Sequence, residues 1–182
     1  MTLLVILVIA ALLIIWIISV QRQLVNADEL CKNSMSQIGV QTQSRWDALT
    51  ALVELVKSYN EHEYNTLRDV IAMRRPINGS STAADVNAQE QAIAGAMRQI
   101  NVVAEQYPDL KANENYGKTM DSVNVYENQV RMSRMVYNDS VTKFNRLVRQ
   151  IPNSFVAGFL GFREKDYLKE DPAKSQMPSM KI

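Results

Sequence analysis

The chain has 182 residues, 47% hydrophobic and 21% charged, which is enough for one domain with a modest core beside an anchor. Twenty Lys and Arg against 19 Asp and Glu give a formal net charge of +1, which offers no electrostatic basis for binding nucleic acid. The single cysteine, Cys31, excludes an intrachain disulfide, and the scarcity of Gly (6) and Pro (5) favours an all-α class.

The first segment, residues 1–21, predicts a transmembrane anchor. Residues 2–20 carry no charge, and about 20 apolar residues in a helix span the roughly 30 Å of hydrocarbon in a bilayer. A signal peptide fits less well because no Lys or Arg precedes the run, and a core helix would be apolar on every face. Arg22 and Lys32 follow the run, so the positive-inside rule favours a cytoplasmic C-terminal domain.

Residues 22–151 predict an antiparallel bundle of about four main helices, the first continuous with the anchor. Asn60 and Glu63 suggest a capping box, so we place a break near Tyr59 and a second helix up to Arg75. Residues 77–87 are small and polar and predict an exposed tip. A third helix follows to about residue 106, and the proline at 108 begins the next corner.

The fourth predicted helix, ending at about residue 150, has a heptad seam typical of coiled-coil packing. Its positions are Tyr116, Met120, Val123, Glu127, Val130, Arg134, Tyr137, Val141, Phe144 and Val148. Two of these are charged, and Arg45 or Glu54 of the first helix are candidate inter-helix partners for Glu127 and Arg134. The alternative is that the seam drifts and both charges are solvated at its edge.

Helices of these lengths, joined by short turns, most simply run up, down, up and down, which returns the chain to the membrane. The segment 152–169 then combines apolar and basic residues at membrane level, a pattern typical of lipid contact. The candidate interface residues are Phe155, Phe159, Leu160, Phe162, Arg163 and Lys165. The alternative is that the phenylalanines cover the bottom of the bundle or an adjacent subunit. Residues 170–182 are expected to form a flexible tail.

Several short motifs recur in a known family. They are Ser36-Gln37-Ile38 with Val40-Gln41, Leu52-Val53-Glu54-Leu55-Val56-Lys57, His62-Glu63 with Thr66-Leu67, Tyr107-Pro108-Asp109-Leu110-Lys111-Ala112-Asn113-Glu114-Asn115-Tyr116, Glu127-Asn128, Tyr137-Asn138, Phe144-Asn145 and Phe159-Leu160-Gly161-Phe162. In these residues the chain resembles the LemA family of bacterial membrane proteins over roughly residues 20–167. The resemblance implies an N-terminal anchor and an antiparallel helical domain.

No set of residues predicts catalysis, a cofactor or a metal site. His62 is the only histidine, and its neighbour Glu63 is not followed by the second histidine of a zincin helix. One cysteine and one histidine cannot supply the usual nucleophilic or zinc-binding sets. We therefore expect a protein that is not an enzyme, binds no cofactor and has no catalytic or metal-binding residues.

Two functions fit these patterns. The favoured one is a membrane-anchored scaffold whose helical faces associate into a homo-oligomer that organises or shapes the membrane. The alternative is an adaptor or sensor that binds another envelope or membrane protein. Both place the protein in a single-pass arrangement in contact with the lipid bilayer, and neither involves nucleic acid.

Overall fold

The computed structural model describes residues 1–169. Its helices in chain order are α1 (Thr2–Lys57), α2 (Glu61–Ile71), α3 (Ala83–Gln106), α4 (Pro108–Lys111), α5 (Glu114–Arg149) and α6 (Asn153–Phe159). These residues contain no β-strand, so the predicted all-α class is confirmed. The expected flexible tail, 170–182, lies outside the described residues.

Helix α1 is unbroken over 56 residues, which corresponds to about 84 Å at 1.5 Å per residue. Within residues 1–169 it is the one helix long and apolar enough to cross a membrane. Its apolar side chains before residue 19 are almost all exposed, as Leu4, Ile9 and Ile15 illustrate. A core helix would be covered by its own chain, so this segment has the surface of a helix that needs an apolar surrounding.

Helices α1 and α5 run antiparallel along the length of the bundle. The hydroxyls of Ser34 and Ser140 lie 3.1 Å apart near the apolar end. At the other end, the Asn113 Nδ2 donates to the Tyr59 hydroxyl at 3.3 Å. Residue numbers rise along α1 while they fall along α5, so the last long helix leads back toward the apolar segment.

Helix α2 and the segment after it descend beside α1. The Tyr64 hydroxyl donates to Glu54 at 3.0 Å, and Arg74 donates to Asp47 at 2.8 Å. Asn60 starts this helix by accepting hydrogen bonds from two backbone N–H groups of the first turn. Its own N–H donates to the Val56 carbonyl, so the reciprocal half of the predicted capping box is not formed. The helix also ends at Ile71, four residues before the predicted end.

Helix α3 ascends again. Trp46 Nε1 donates to Gln89 at 3.0 Å near its start, and the Asn60 amide donates to the Tyr107 hydroxyl just past its end. A full capping box occurs at the first turn of α3, where Thr82 and Asp85 bond reciprocally. The sequence predicts such a box at Asn60 instead. The chain therefore runs up, down, up and down, which confirms the predicted antiparallel bundle.

The prediction that residues 77–87 form an exposed tip is only partly right: residues 78–82 lie between helices and are exposed or half-buried, but the segment is not at the far end of the bundle. Ala83 already begins α3, and Ile77 is buried against the middle of α1. Gly39 makes this approach feasible, because a Cβ there would lie 2.0 Å from the Ile77 carbonyl oxygen. Gly79 similarly lies against Lys32. The turns farthest from the apolar segment are instead those at residues 58–60 and 107–113.

The core has a distal and a proximal part. The distal part surrounds Trp46 and Leu49, where α1, α2, α3 and α5 all contribute side chains. The proximal part surrounds Met35 and Phe144. Below the start of α3, residues 162–168 take its place against α1 and α5, so the bundle keeps a third layer almost to the apolar segment.

Candidate functional site

The foot of the bundle, which we define as residues 151–160, lies beside the last turn of the apolar segment. Val156 and Ala157 of α6 pack on Val20 and Leu24 of α1, and all four side chains are buried. Trp16 borders the same cluster. The short helix α6 is therefore held at the level where the apolar segment gives way to the polar part of α1.

The foot presents large apolar side chains outward. Phe155 is 74% and Phe159 is 91% exposed, and Ile151 and Leu160 are exposed as well. Phe155 and Phe159 are four residues apart, so they lie on one face of α6 while Val156 and Ala157 occupy the opposite face. Burial of α6 against α1 accounts for one face only, and the other face is an apolar surface that is left open.

Phe162, by contrast, contacts the bundle. Its ring meets that of Phe144 edge to face, with 6.2 Å between centroids. Lys165 is also held internally, since its ammonium lies 2.9 Å from Asp28 and 5.3 Å from the Phe144 ring centroid. Of the six candidate interface residues, four point away from the bundle: Phe155, Phe159, Leu160 and Arg163.

Asp28 is the anionic partner in this region. Partial burial by itself raises its pKa, but hydrogen bonds from Lys32 and Lys165 outweigh burial and bring the pKa below the ordinary value. The carboxylate therefore stays ionised and fixes Lys165 against α1. Together the three side chains attach the segment after the foot to the first helix.

Residues 163–169, which we name the strap, run extended along α5. Asn145 exchanges two hydrogen bonds of 2.9 Å with the backbone of Lys165, and Asn138 exchanges two of 2.9 Å with that of Leu168. Leu168 is buried in the proximal core. This role of the two asparagines is not evident from the sequence, although their spacing of seven places them on one face of α5.

The charged seam positions have different partners. Arg45, 3% exposed, donates to Glu127 at 2.8 Å and lies 3.4 Å from Glu90 of α3, a partner that the sequence does not predict. Glu54 instead accepts from Tyr64, and Arg134 donates to the Lys169 carbonyl of the strap. Arg45 and Glu127 are thus brought together between α1 and α5, and Glu54 and Arg134 lie elsewhere.

Among residues 1–169, Cys31 and His62 are the remaining candidates for a reactive side chain. Cys31 is buried, and this burial raises its thiol pKa, so the unreactive protonated form is favoured. The backbone of His62 serves the first turn of α2 by donating to Asn60. Within residues 1–169, no three His, Cys, Asp or Glu side chains are placed to hold a metal ion.

This geometry defines a class of helical-bundle protein in which a candidate membrane-spanning helix continues into the bundle and an aromatic foot lies beside it. The profile of the LemA family matches residues 34–182, and the chain belongs to that family. The family resemblance read from the short motifs is thereby confirmed. A comparison with curated proteins gave no match.

Proposed function

We propose that this LemA-family protein is a non-enzymatic scaffold, anchored in the membrane by residues 1–21, that self-associates and thereby organises or shapes the membrane. The observation that carries this proposal is the position of Phe155 and Phe159, exposed beside the point where the apolar part of α1 ends. The span and the foot then meet the same leaflet, one crossing it and the other lying in its interface.

Two contacts with lipid restrict the orientation of the protein in the membrane more than a single contact does. A single helix tilts and rotates in a bilayer, whereas a second contact in the interface restricts both motions. Full burial of a Phe side chain is worth about 1.5–3 kcal/mol, so Phe155 and Phe159 together contribute substantially to this restriction. Arg163 follows them and adds attraction to anionic headgroups of about 1 kcal/mol for each basic residue. Copies held at one fixed tilt can pack side by side.

The depth of the foot is measurable. Bimane attached to Phe159→Cys in lipid nanodiscs is expected to be quenched by lipids that carry a nitroxide high in the acyl chain. The same dye on Met73→Cys, an exposed apolar residue far from the foot, is the matched control. Cys31 is buried and contributes little labelling. Equal quenching at the two positions would refute the lipid contact.

Self-association is tested on the full chain in nanodiscs and in mild detergent. Mass measurement across a wide concentration range is expected to show a defined homo-oligomer. A strict monomer under all these conditions would overturn the scaffold proposal. The effect on membranes is read separately, by imaging vesicles that contain the full chain beside vesicles that contain the Phe155→Ser/Phe159→Ser variant.

We place the bundle on the cytoplasmic side. Arg22 and Lys32 follow the span, and Arg163, the first residue of the strap, adds a basic group close to the foot. Ser80 is exposed, so Ser80→Cys provides a thiol for labelling in intact cells. A membrane-impermeant reagent is expected to label it only after lysis. Labelling in intact cells would reverse the assigned orientation.

A further inference from the structure

Beyond the apolar segment, α1 carries a stripe of uncharged residues that we call the neutral stripe. Its members recur at steps of three or four, which places them on one face of the helix. They are Gln23, Asn26, Leu30, Asn33, Gln37, Gln41, Ser44, Ala48, Ala51 and Leu55. The positions up to Gln37 are exposed, and most of those beyond are exposed or half-buried. Within residues 1–169 the positions up to Gln37 are left uncovered, whereas Ala48 is buried at the edge of the distal core and Leu55 packs against it.

The charged residues of α1 avoid this face. They are Arg22, Asp28, Glu29, Lys32, Asp47, Glu54 and Lys57 on other faces, and Arg45 in the interior. Exposed helix faces in soluble proteins ordinarily carry charge. A face of about 48 Å at 1.5 Å per residue, from Gln23 to Leu55, that carries none therefore differs from an ordinary solvated surface.

Helix α5 widens the surface. Its exposed Val125, Met132 and Val136 recur at steps of seven and four along α5. Val125 and Met132 line a shallow groove together with Gln41 of the neutral stripe. A second groove farther along is lined by Ser44, Ala48 and Ala51 with residues of α5, and Asp47, which is paired with Arg74, borders it. The stripe and the exposed apolar residues of α5 thus form one continuous face of the bundle.

The chemistry of this face fits a second copy of the same chain. Copies anchored by the same helix stand parallel, and a rotation axis normal to the membrane places each residue near its own counterpart. A charge on such an axis would meet the same charge, which is unfavourable. Asn and Gln amides carry both donors and acceptors and can pair with their own copies, and Ala and Ser allow close approach.

We propose that the neutral stripe of α1 is the self-association surface, on which a second copy docks in parallel and in register around an axis normal to the membrane. The stripe begins where the apolar segment ends, so the contact continues directly from the span into the bundle. This inference rests on the proposed function, which supplies the membrane anchor and the self-association, and it names the surface responsible.

Cysteine crosslinking of the full chain in membranes tests the register. Gln37→Cys and Ala51→Cys are expected to form symmetric disulfides on mild oxidation, because each lies near its own copy. Glu29→Cys and Lys57→Cys, exposed on other faces of α1, are the matched controls and are expected to stay monomeric. The parent chain reports the background from Cys31, which is buried. Crosslinking at all four positions alike, or only at the controls, would overturn the proposal.

Charge rescue provides an independent readout. Gln37→Lys and Gln37→Glu are each expected to reduce the oligomer fraction about tenfold or more through like-charge repulsion on the axis. Mixing the two variants is expected to restore it as a hetero-oligomer. Failure of both readouts with the oligomer intact refutes the neutral stripe alone, and the scaffold proposal then stands with another surface. A parent chain that is monomeric in nanodiscs refutes both.

Discussion

Asn145 and Lys165 exchange a pair of hydrogen bonds, in which the side-chain amide both donates to and accepts from the backbone of the strap. Asn138 and Leu168 repeat the arrangement. Seven helical residues rise about 10.5 Å, and three extended residues cover about 10 Å, so the two repeats match. Two side chains of α5 thus bind the backbone of the strap, and Leu168 adds an apolar contact with the core.

Loss of either asparagine is expected to loosen the strap. Asn145→Ala or Asn138→Ala leaves backbone groups of Lys165 or Leu168 without a partner, which costs about 1–3 kcal/mol when such groups are buried. Hydrogen exchange at these two amides is expected to accelerate, and the free energy of unfolding is expected to fall. Asn124→Ala, on an exposed position of α5, is the control. Unchanged exchange in both variants would contradict the role of the pairs.

Replacement of a helical glycine by alanine is expected to lower the free energy of unfolding at Gly39 and to raise it at Gly95. Gly39→Ala places a methyl 2.0 Å from the Ile77 carbonyl oxygen, so the loop must move, at a cost of about 1–3 kcal/mol. Gly95→Ala meets nothing within 4 Å and gains up to about 1 kcal/mol of helix propensity. Urea unfolding of both variants provides the comparison. Stabilisation by Gly39→Ala would show that residues 77–79 do not depend on this contact.

Arg45→Met is expected to destabilise the bundle. Glu90 and Glu127 would then lie close together after loss of the cation between them, and removal of one partner from a partly buried, charged hydrogen bond costs about 1–3 kcal/mol. Arg98→Met, on an exposed position of α3, is the matched control and is expected to have little effect. Equal midpoints for the two variants in thermal unfolding would rule out a structural role for the Arg45 cluster.

The contribution of Asp28 is expected to depend on pH. Its pKa is lower in the folded chain, so it stabilises the fold above its unfolded pKa, and this contribution disappears as the pH falls through the folded value. The stability difference between the native chain and Asp28→Asn should therefore be largest near neutrality and shrink below about pH 4. Asp121→Asn, at an exposed position, serves as the control. A difference that grows on acidification would have the wrong sign.

The long elements of this fold are visible in the sequence. Periodicity and the absence of proline predict α1 and α5, because many residues contribute to the periodic pattern of each long helix. The return of α5 follows from helix lengths alone. Local rules are less decisive at the ends of elements, as the half-formed cap at Asn60 and the early end at Ile71 illustrate. Terminal residues are determined by contacts as much as by propensity.

The parts that the sequence does not predict depend on distant partners. The approach of Ile77 to Gly39 joins residues 38 positions apart, and a glycine in a helix ordinarily indicates only a weak point. Glu90 joins Arg45 through the packing of α3, which no local pattern reports. The strap has no periodicity of its own, and its asparagine partners appear in the sequence only as two polar residues of α5.

The unbroken backbone of α1 couples the apolar segment to the far end of the molecule. With no interruption between Trp16 and Ala51, about 52 Å apart along the axis, the rotational phase of the span sets the direction of every face above it. One residue inserted after Val20 would turn the span by about 100° relative to the bundle. Trp16 and Val20 would then turn away from the cluster that Leu24 forms with Val156 and Ala157, so the packing of the foot requires one rotational phase of the apolar segment.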